Sequence, residues 1–182
     1  MVKAKFFKCM ICFFNIFNYI DLNKTLPEVL DNPMWQKLFA DLVFGEGPDK
    51  APLMFIGEAP GAHEDREGRP FIGPGGQLLD HLLSSISFER NDVYITNILP
   101  WRPPGNRTPT PAEIIACMPF IQRQIELVSP RILVLVGGVA TKALLGSNQG
   151  IMRMRGKWLE YKSSLLYTSD AADEGLGVDL GG

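Results

Sequence analysis

Five short stretches of this chain carry groups that could do chemistry together. Gly57-Glu58-Ala59-Pro60-Gly61 sets a carboxylate in a glycine-rich turn, and Glu64-Asp65 follows it closely. Next come Gly68-Arg69-Pro70-Phe71-Ile72-Gly73, then Asn97, then Arg102-Pro103-Pro104-Gly105-Asn106-Arg107. Peptide N–H groups of a glycine-rich loop suit a developing anion. Glu58 could orient water or balance a cation. The carboxamide of Asn97 donates and accepts at once, so it can read an edge that offers both an acceptor and an N–H. Arginines on a proline-stiffened loop suit phosphates. Taken singly, each has an ordinary alternative: a core phenylalanine, a turn-forming asparagine, a solvated acidic pair at Glu64 and Asp65, surface arginines.

Whether these residues meet depends on the elements between them. Leu53–Gly57 is a short apolar run, the pattern of a buried strand, and it opens into a glycine- and proline-rich loop from Glu58 to Gly76. Leu78, Leu79, Leu82, Leu83 and Ile86 recur at helical spacing over Gln77–Ile86, and Val93–Asn97 forms a second strand. After the proline-rich loop 98–109, Thr110-Pro111-Ala112-Glu113 combines a capping threonine, proline at the first helical position and a capping-box glutamate, which predicts a helix to about Val128. Ile132–Val136 has the near-continuous apolar pattern of the middle of a parallel sheet. Gly137-Gly138 turns it into a helix that ends near Leu145-Gly146, and a further strand is expected within Arg155–Tyr161. Alternating strands and helices imply an α/β fold, a three-layer α/β/α sandwich with a mainly parallel central sheet. Ligands of such sheets sit at the carboxyl ends of the strands, so the loops after Gly57, Asn97 and Val136 form the functional rim.

The chain has 182 residues, 46% of them hydrophobic and 21% charged, which suits one domain with a single buried core. The net charge of −2 hides an asymmetry: residues 100–162 hold nine Lys/Arg against three Asp/Glu. A basic half of this kind can meet a phosphate backbone, although solvated surface charges would give the same count. Three cysteines make no disulfide framework. Residues 6–20 are apolar but interrupted by Lys8, Asn15 and Asn18, too short to span a bilayer, and not followed by a small-residue cleavage site. Residues 1–25 are therefore expected to be a poorly specified extension, 26–162 the domain, and 163–182 a disordered or frame-shifted tail. A cytoplasmic, nucleoid-associated monomer is the expected setting, with no membrane partner.

In order and spacing, the rim motifs resemble the signature of the family-four uracil-DNA glycosylases from about Leu42 to Trp158, roughly two thirds of the chain. The resemblance implies uracil-containing DNA as partner and hydrolysis of the N-glycosidic bond in base excision repair, with the uracil flipped out of the stack into a tight pocket. It assigns base stacking to Phe71 and reading of the uracil edge to Asn97. A cytosine would leave both groups of that amide mispaired, which is costly in a buried site. Gly57 and Ala59 belong to the substrate-binding loop, and Glu58 and Glu64 are catalytic candidates, Glu64 resembling an acid that lines the pocket near uracil C5. Arg102 and Arg107 are the DNA-binding candidates. The wider superfamily often has a water-positioning acid where Ala59 stands, and this group generally lacks it.

Two departures from the family pattern alter the expectations. The family commonly carries a 4Fe-4S cluster on four cysteines. Here the expected positions fall near Asp31 and Met34, at Trp101 and at Cys117, so only Cys117 matches, and Cys9 and Cys12 lie too early. No cofactor is therefore expected, with Trp101 replacing the cluster by packing. Family members also end with a histidine-proline loop that supplies a donor to uracil O2. The two histidines here, His63 and His81, are both upstream. One lost oxyanion donor can slow a reaction about a hundred- to a thousandfold, so a chain without that loop is expected to be weak or inactive. The alternative is a catalytically impaired DNA- or uracil-binding module of the same fold. A nucleotide-binding enzyme is disfavoured, because Gly57–Gly76 contains neither a GxGxxG nor a GxxxxGK[ST] motif.

Overall fold

The computed structural model describes residues 42–146, 151–162 and 164–169. Strand β1 (Leu53–Gly57) lies between β2 (Tyr94–Asn97) and β3 (Ile132–Val136), and β5 (Ser164–Ser169) continues the sheet to β4 (Trp158–Tyr161), giving the order β2-β1-β3-β5-β4. The first three pairings in that order are parallel; β4 runs antiparallel to β5. The sheet is thus mainly parallel, as expected.

Alternation along the strands builds a core on each face. Met54 and Ile56 of β1 and Leu133 and Leu135 of β3 pack on one side against α3 (Pro111–Val128) and α4 (Gly138–Leu145), through Cys117, Ile121, Ile125, Ala140 and Leu144. Phe55, Ile95 and Val136 face the other way and meet Leu79 and Leu83 of α2 (Pro74–Ser85). Helices on both faces of one sheet make the three layers. The capping box that begins α3 forms as its sequence implies: Thr110 Oγ1 accepts from the Glu113 amide, and Glu113 accepts from the Thr110 amide at 2.8 Å.

The fold departs from the sequence expectations in two places. The loop between β1 and α2 contains a six-residue helix, α1 (Ala62–Glu67), with no apolar periodicity to announce it. Local capping makes it: Glu64 accepts from the Gly61 amide at its start, and Gly68 closes it at φ 64°. The second departure is a correction to the expected tail. Residues 164–169 form β5, inside the sheet, with Leu166 fully buried opposite Leu133. Its burial alternates strictly, Ser164, Leu166 and Thr168 inward, a strand period in a stretch expected to have none. The Ser164 hydroxyl donates to the Pro130 carbonyl at 2.6 Å, and that of Thr168 to the Met154 carbonyl, so the inward polar groups are paired. The domain therefore runs at least to Ser169. The expected boundary at residue 25, and the remainder of the expected tail, lie outside the described residues. A short helix α5 (Ile151–Met154) precedes β4. No helix among the described residues is long and apolar enough to cross a membrane.

Candidate active site

The parallel register sets Gly57, the last residue of β1, directly beside Asn97, the last of β2. A Cβ added to Gly57 would lie 2.5 Å from Cζ of Phe71 and 2.6 Å from Oδ1 of Asn97. The aromatic ring and the carboxamide therefore converge on one point of the rim, and only glycine leaves them room. Asn97 is 3% exposed, so its carboxamide sits at the floor of the rim and not on open surface. Phe71 reaches this point from a left-handed backbone conformation, φ 50°. The first turn of α2 presses on its carbonyl so closely that a Cβ on Gly76 would lie 1.8 Å from that oxygen.

Glu58 follows Gly57 into an open cleft of about 590 Å³ between the proline-rich loop and the start of α4. Thr108, Pro109, Ile114, Gly138 and Lys142 line it with Glu58. Asn97 and Phe71 do not line this cleft, so the carboxylate and the ring-amide pair occupy adjoining parts of the rim. Ala59 packs its side chain against the α3-side core, so what it can offer a ligand is its backbone.

The other candidates hold the rim together. Glu64 is buried, and its carboxylate accepts from the amides of Ile72 (2.9 Å) and Gly73 (2.7 Å) through Oε1 and of Gly61 (3.1 Å) through Oε2. Burial, the largest influence, raises its pKa, but the amides of Gly73, of Glu64 itself, of Ile72 and of Gly61 together outweigh it and hold the group below its ordinary value. In this structure Glu64 ties the Phe71 loop to α1. Arg107 was expected to meet DNA, yet its guanidinium forms a two-pronged pair with Glu113, both bonds 2.8 Å, and so reinforces the α3 cap. Arg102 donates to Asn106 at 2.6 Å and stands 4.0 Å from the Asp65 carboxylate, bridging the proline-rich loop and α1 at the rim.

Arg90 carries no motif, and the sequence reading passed over it. It donates to the Pro70 and Phe71 carbonyls, and its partners are scattered from Glu46 to Asp80. No local pattern could have announced such an arrangement.

Among the described residues the donors at the expected cluster positions do not fit an iron–sulfur cluster. Cys117 is 2% exposed inside the α3-side core, with Trp101 packed against the same cluster of side chains. Burial, with a smaller push from Glu113, raises its thiol to about 11, so at neutral pH it is a protonated core side chain. One such thiol beside a tryptophan cannot stand in for four thiolates. The positions at Asp31 and Met34, and Cys9 and Cys12, lie outside the described residues. Among the described residues no three His, Cys, Asp or Glu are grouped to hold a metal ion.

An aromatic ring and a buried carboxamide thus meet over one glycine at the carboxyl ends of a parallel α/β sheet, the edge at which ligands of such sheets sit. The chain belongs to the uracil DNA glycosylase superfamily, whose family model matches residues 44–172. That match runs past Trp158 and takes in β5. Among curated proteins the chain is similar to the type-4 uracil-DNA glycosylase of Sulfurisphaera tokodaii, 45% identical over 134 residues, which cover 71% of this chain and 60% of the relative. It is 42% identical to the type-4 uracil-DNA glycosylase of Thermotoga maritima over 122 residues, 66% of this chain and 64% of the relative. The type-5 uracil-DNA glycosylase of Thermus thermophilus is more distant, at 34% over 128 residues, 62% of this chain and 56% of that protein. The chain thus spans less than two thirds of the length of these relatives.

Proposed function

We propose that this chain acts on uracil in DNA, hydrolysing the bond between base and deoxyribose after the nucleotide is flipped into the rim. The observation that carries the reading is the meeting of Phe71 and Asn97 over Gly57. A flipped uracil stacked on the ring would present O4 and N3–H to the carboxamide, which can donate to one and accept from the other. Glu58, in the adjoining cleft, is the group that orients water or faces the cationic sugar as the bond breaks. Amides of the Gly57–Gly61 turn are the donors to the departing uracil anion. Arg102, at the mouth of the rim, is the better candidate for a phosphate contact, because the Arg107 fork is already matched by Glu113. The reaction in this reading uses no metal cluster; iron and acid-labile sulfide analysis of anaerobically purified protein is expected to find less than one cluster per chain.

The test is a labelled oligonucleotide containing a single uracil, incubated with the full chain and then treated with alkali to cut at abasic sites. Slow cutting at the uracil and none at a cytosine in the same position is expected, as suits a chain without the histidine loop, together with its loss in Asn97→Ala. Binding of free uracil without any cutting would replace the enzymatic reading by that of a uracil-binding module. Neither binding nor cutting would end both.

A further inference from the structure

The Phe71 loop is gripped from two opposite sides. Glu64 takes the amides that follow the ring, those of Ile72 and Gly73. Arg90 takes the two carbonyls that flank the Phe71 Cα: Nη1 donates to the Phe71 carbonyl at 2.9 Å, and Nη2 donates to the Pro70 carbonyl. The same guanidinium reaches Asp80 of α2 at 3.0 Å and Glu46 at 3.2 Å, and its side chain is 15% exposed. Glu46 is in turn fixed to the strand that ends in Asn97: its amide donates to the Ile95 carbonyl at 2.9 Å, and its carbonyl accepts from the Ile95 amide at 2.8 Å. Arg69 adds a two-pronged pair to the same Glu46 carboxylate, at 2.8 and 2.7 Å.

We propose that Arg90 is a positioning residue for the base-stacking ring, holding the Pro70 and Phe71 carbonyls so that the ring faces Asn97. A left-handed backbone at a bulky residue is rarely populated and persists only where its surroundings fix it. Arg90 supplies that fixation and, through Glu46, refers it to β2, so ring and amide share one frame. The planar guanidinium, with five donors, can serve two carbonyls and two carboxylates together, and an ammonium cannot reproduce that fork. What the ring does rests on the glycosylase reading; how it is held does not.

The experiment compares the unsubstituted chain with Arg90→Met, Phe71→Ala and the double variant. Two measurements are made: single-turnover excision of uracil from the labelled oligonucleotide, and amide hydrogen exchange. Arg90→Met is expected to slow excision about tenfold or more, in line with the sensitivity of rates to small misplacements. Added to Phe71→Ala it is expected to cost little further, since the two act through one group. Exchange at the Ile72 and Gly73 amides is expected to quicken about tenfold while the α3 amides keep their protection. A full effect of Arg90→Met on top of Phe71→Ala would overturn the proposal, as would unchanged exchange at Ile72 and Gly73. If the unsubstituted chain removes no uracil, the enzymatic reading falls, and the exchange result alone decides the role of Arg90.

Discussion

At the scale of single residues the site turns on what is missing from Gly57. A methyl there would need the space already taken by Phe71 and Asn97, at 2.5 and 2.6 Å. Gly57→Ala must therefore push the ring or the amide out of register, and overpacking of this kind costs about 1–3 kcal/mol. The expected result is a modest fall in melting temperature and a loss of uracil excision far larger than that fall explains. An alanine variant with an undiminished single-turnover rate would mean that ring and amide do not work as one clamp. Phe71 and Asn97 stood out in the sequence only through the run of rim motifs around them, because singly a ring on a Pro/Gly loop reads as a core phenylalanine and an amide at a strand end as a turn former. Glu64 and Arg107 were expected to line the pocket and to meet DNA. Their bonds to the chain's own amides and to Glu113 were not foreseen, because partners of that kind become visible only once the loop has folded.

At the scale of elements, β3 and α3 could be read directly, one from an unbroken apolar run and the other from its cap. Strand β5 could not. One serine and one threonine hold its inward positions beside Leu166, so the strand shows little apolar period until Pro130 and Met154 are seen to accept their hydroxyls. Helix α1 was hidden for a related reason: it is held by one carboxylate and a glycine, and buries no apolar stripe. The correction at β5 has a measurable consequence. Leu166 is fully buried between β3 and β4, so Leu166→Ala should destabilise the chain by about 2–5 kcal/mol, the usual cost of such a cavity. Denaturant unfolding reads this directly. A midpoint unchanged by the substitution would return residues 164–169 to the tail.

At the scale of the whole molecule, the buried titratable groups set the pH range over which the fold survives. Glu64 and Glu46 both sit below the ordinary 4.5 although burial pulls them upward, because amides hold the one and Arg69 and Arg90 hold the other. Groups with a lowered folded pKa contribute stability that is present above 4.5 and lost as the pH falls through their folded values. Cys117 works at the other end. Burial keeps its proton up to about 11 instead of 9.0, so the folded chain retains a proton that the unfolded chain gives up. Its contribution is present below 9 and drains away as the pH climbs towards 11. Urea midpoints are accordingly expected to drop between about pH 9 and pH 11 in the unsubstituted chain, and to drop less in Cys117→Ala. A thiolate bound to iron would behave in the opposite sense. Metal would favour the deprotonated form, the alkaline limb would be flat, and stability would instead fall on acidification as protons displaced the metal. The same titration therefore distinguishes a thiol sealed into the α3 core beside Trp101 from a ligand of a cluster. Identical alkaline limbs in the two proteins would show that the core around Cys117 does not exclude water.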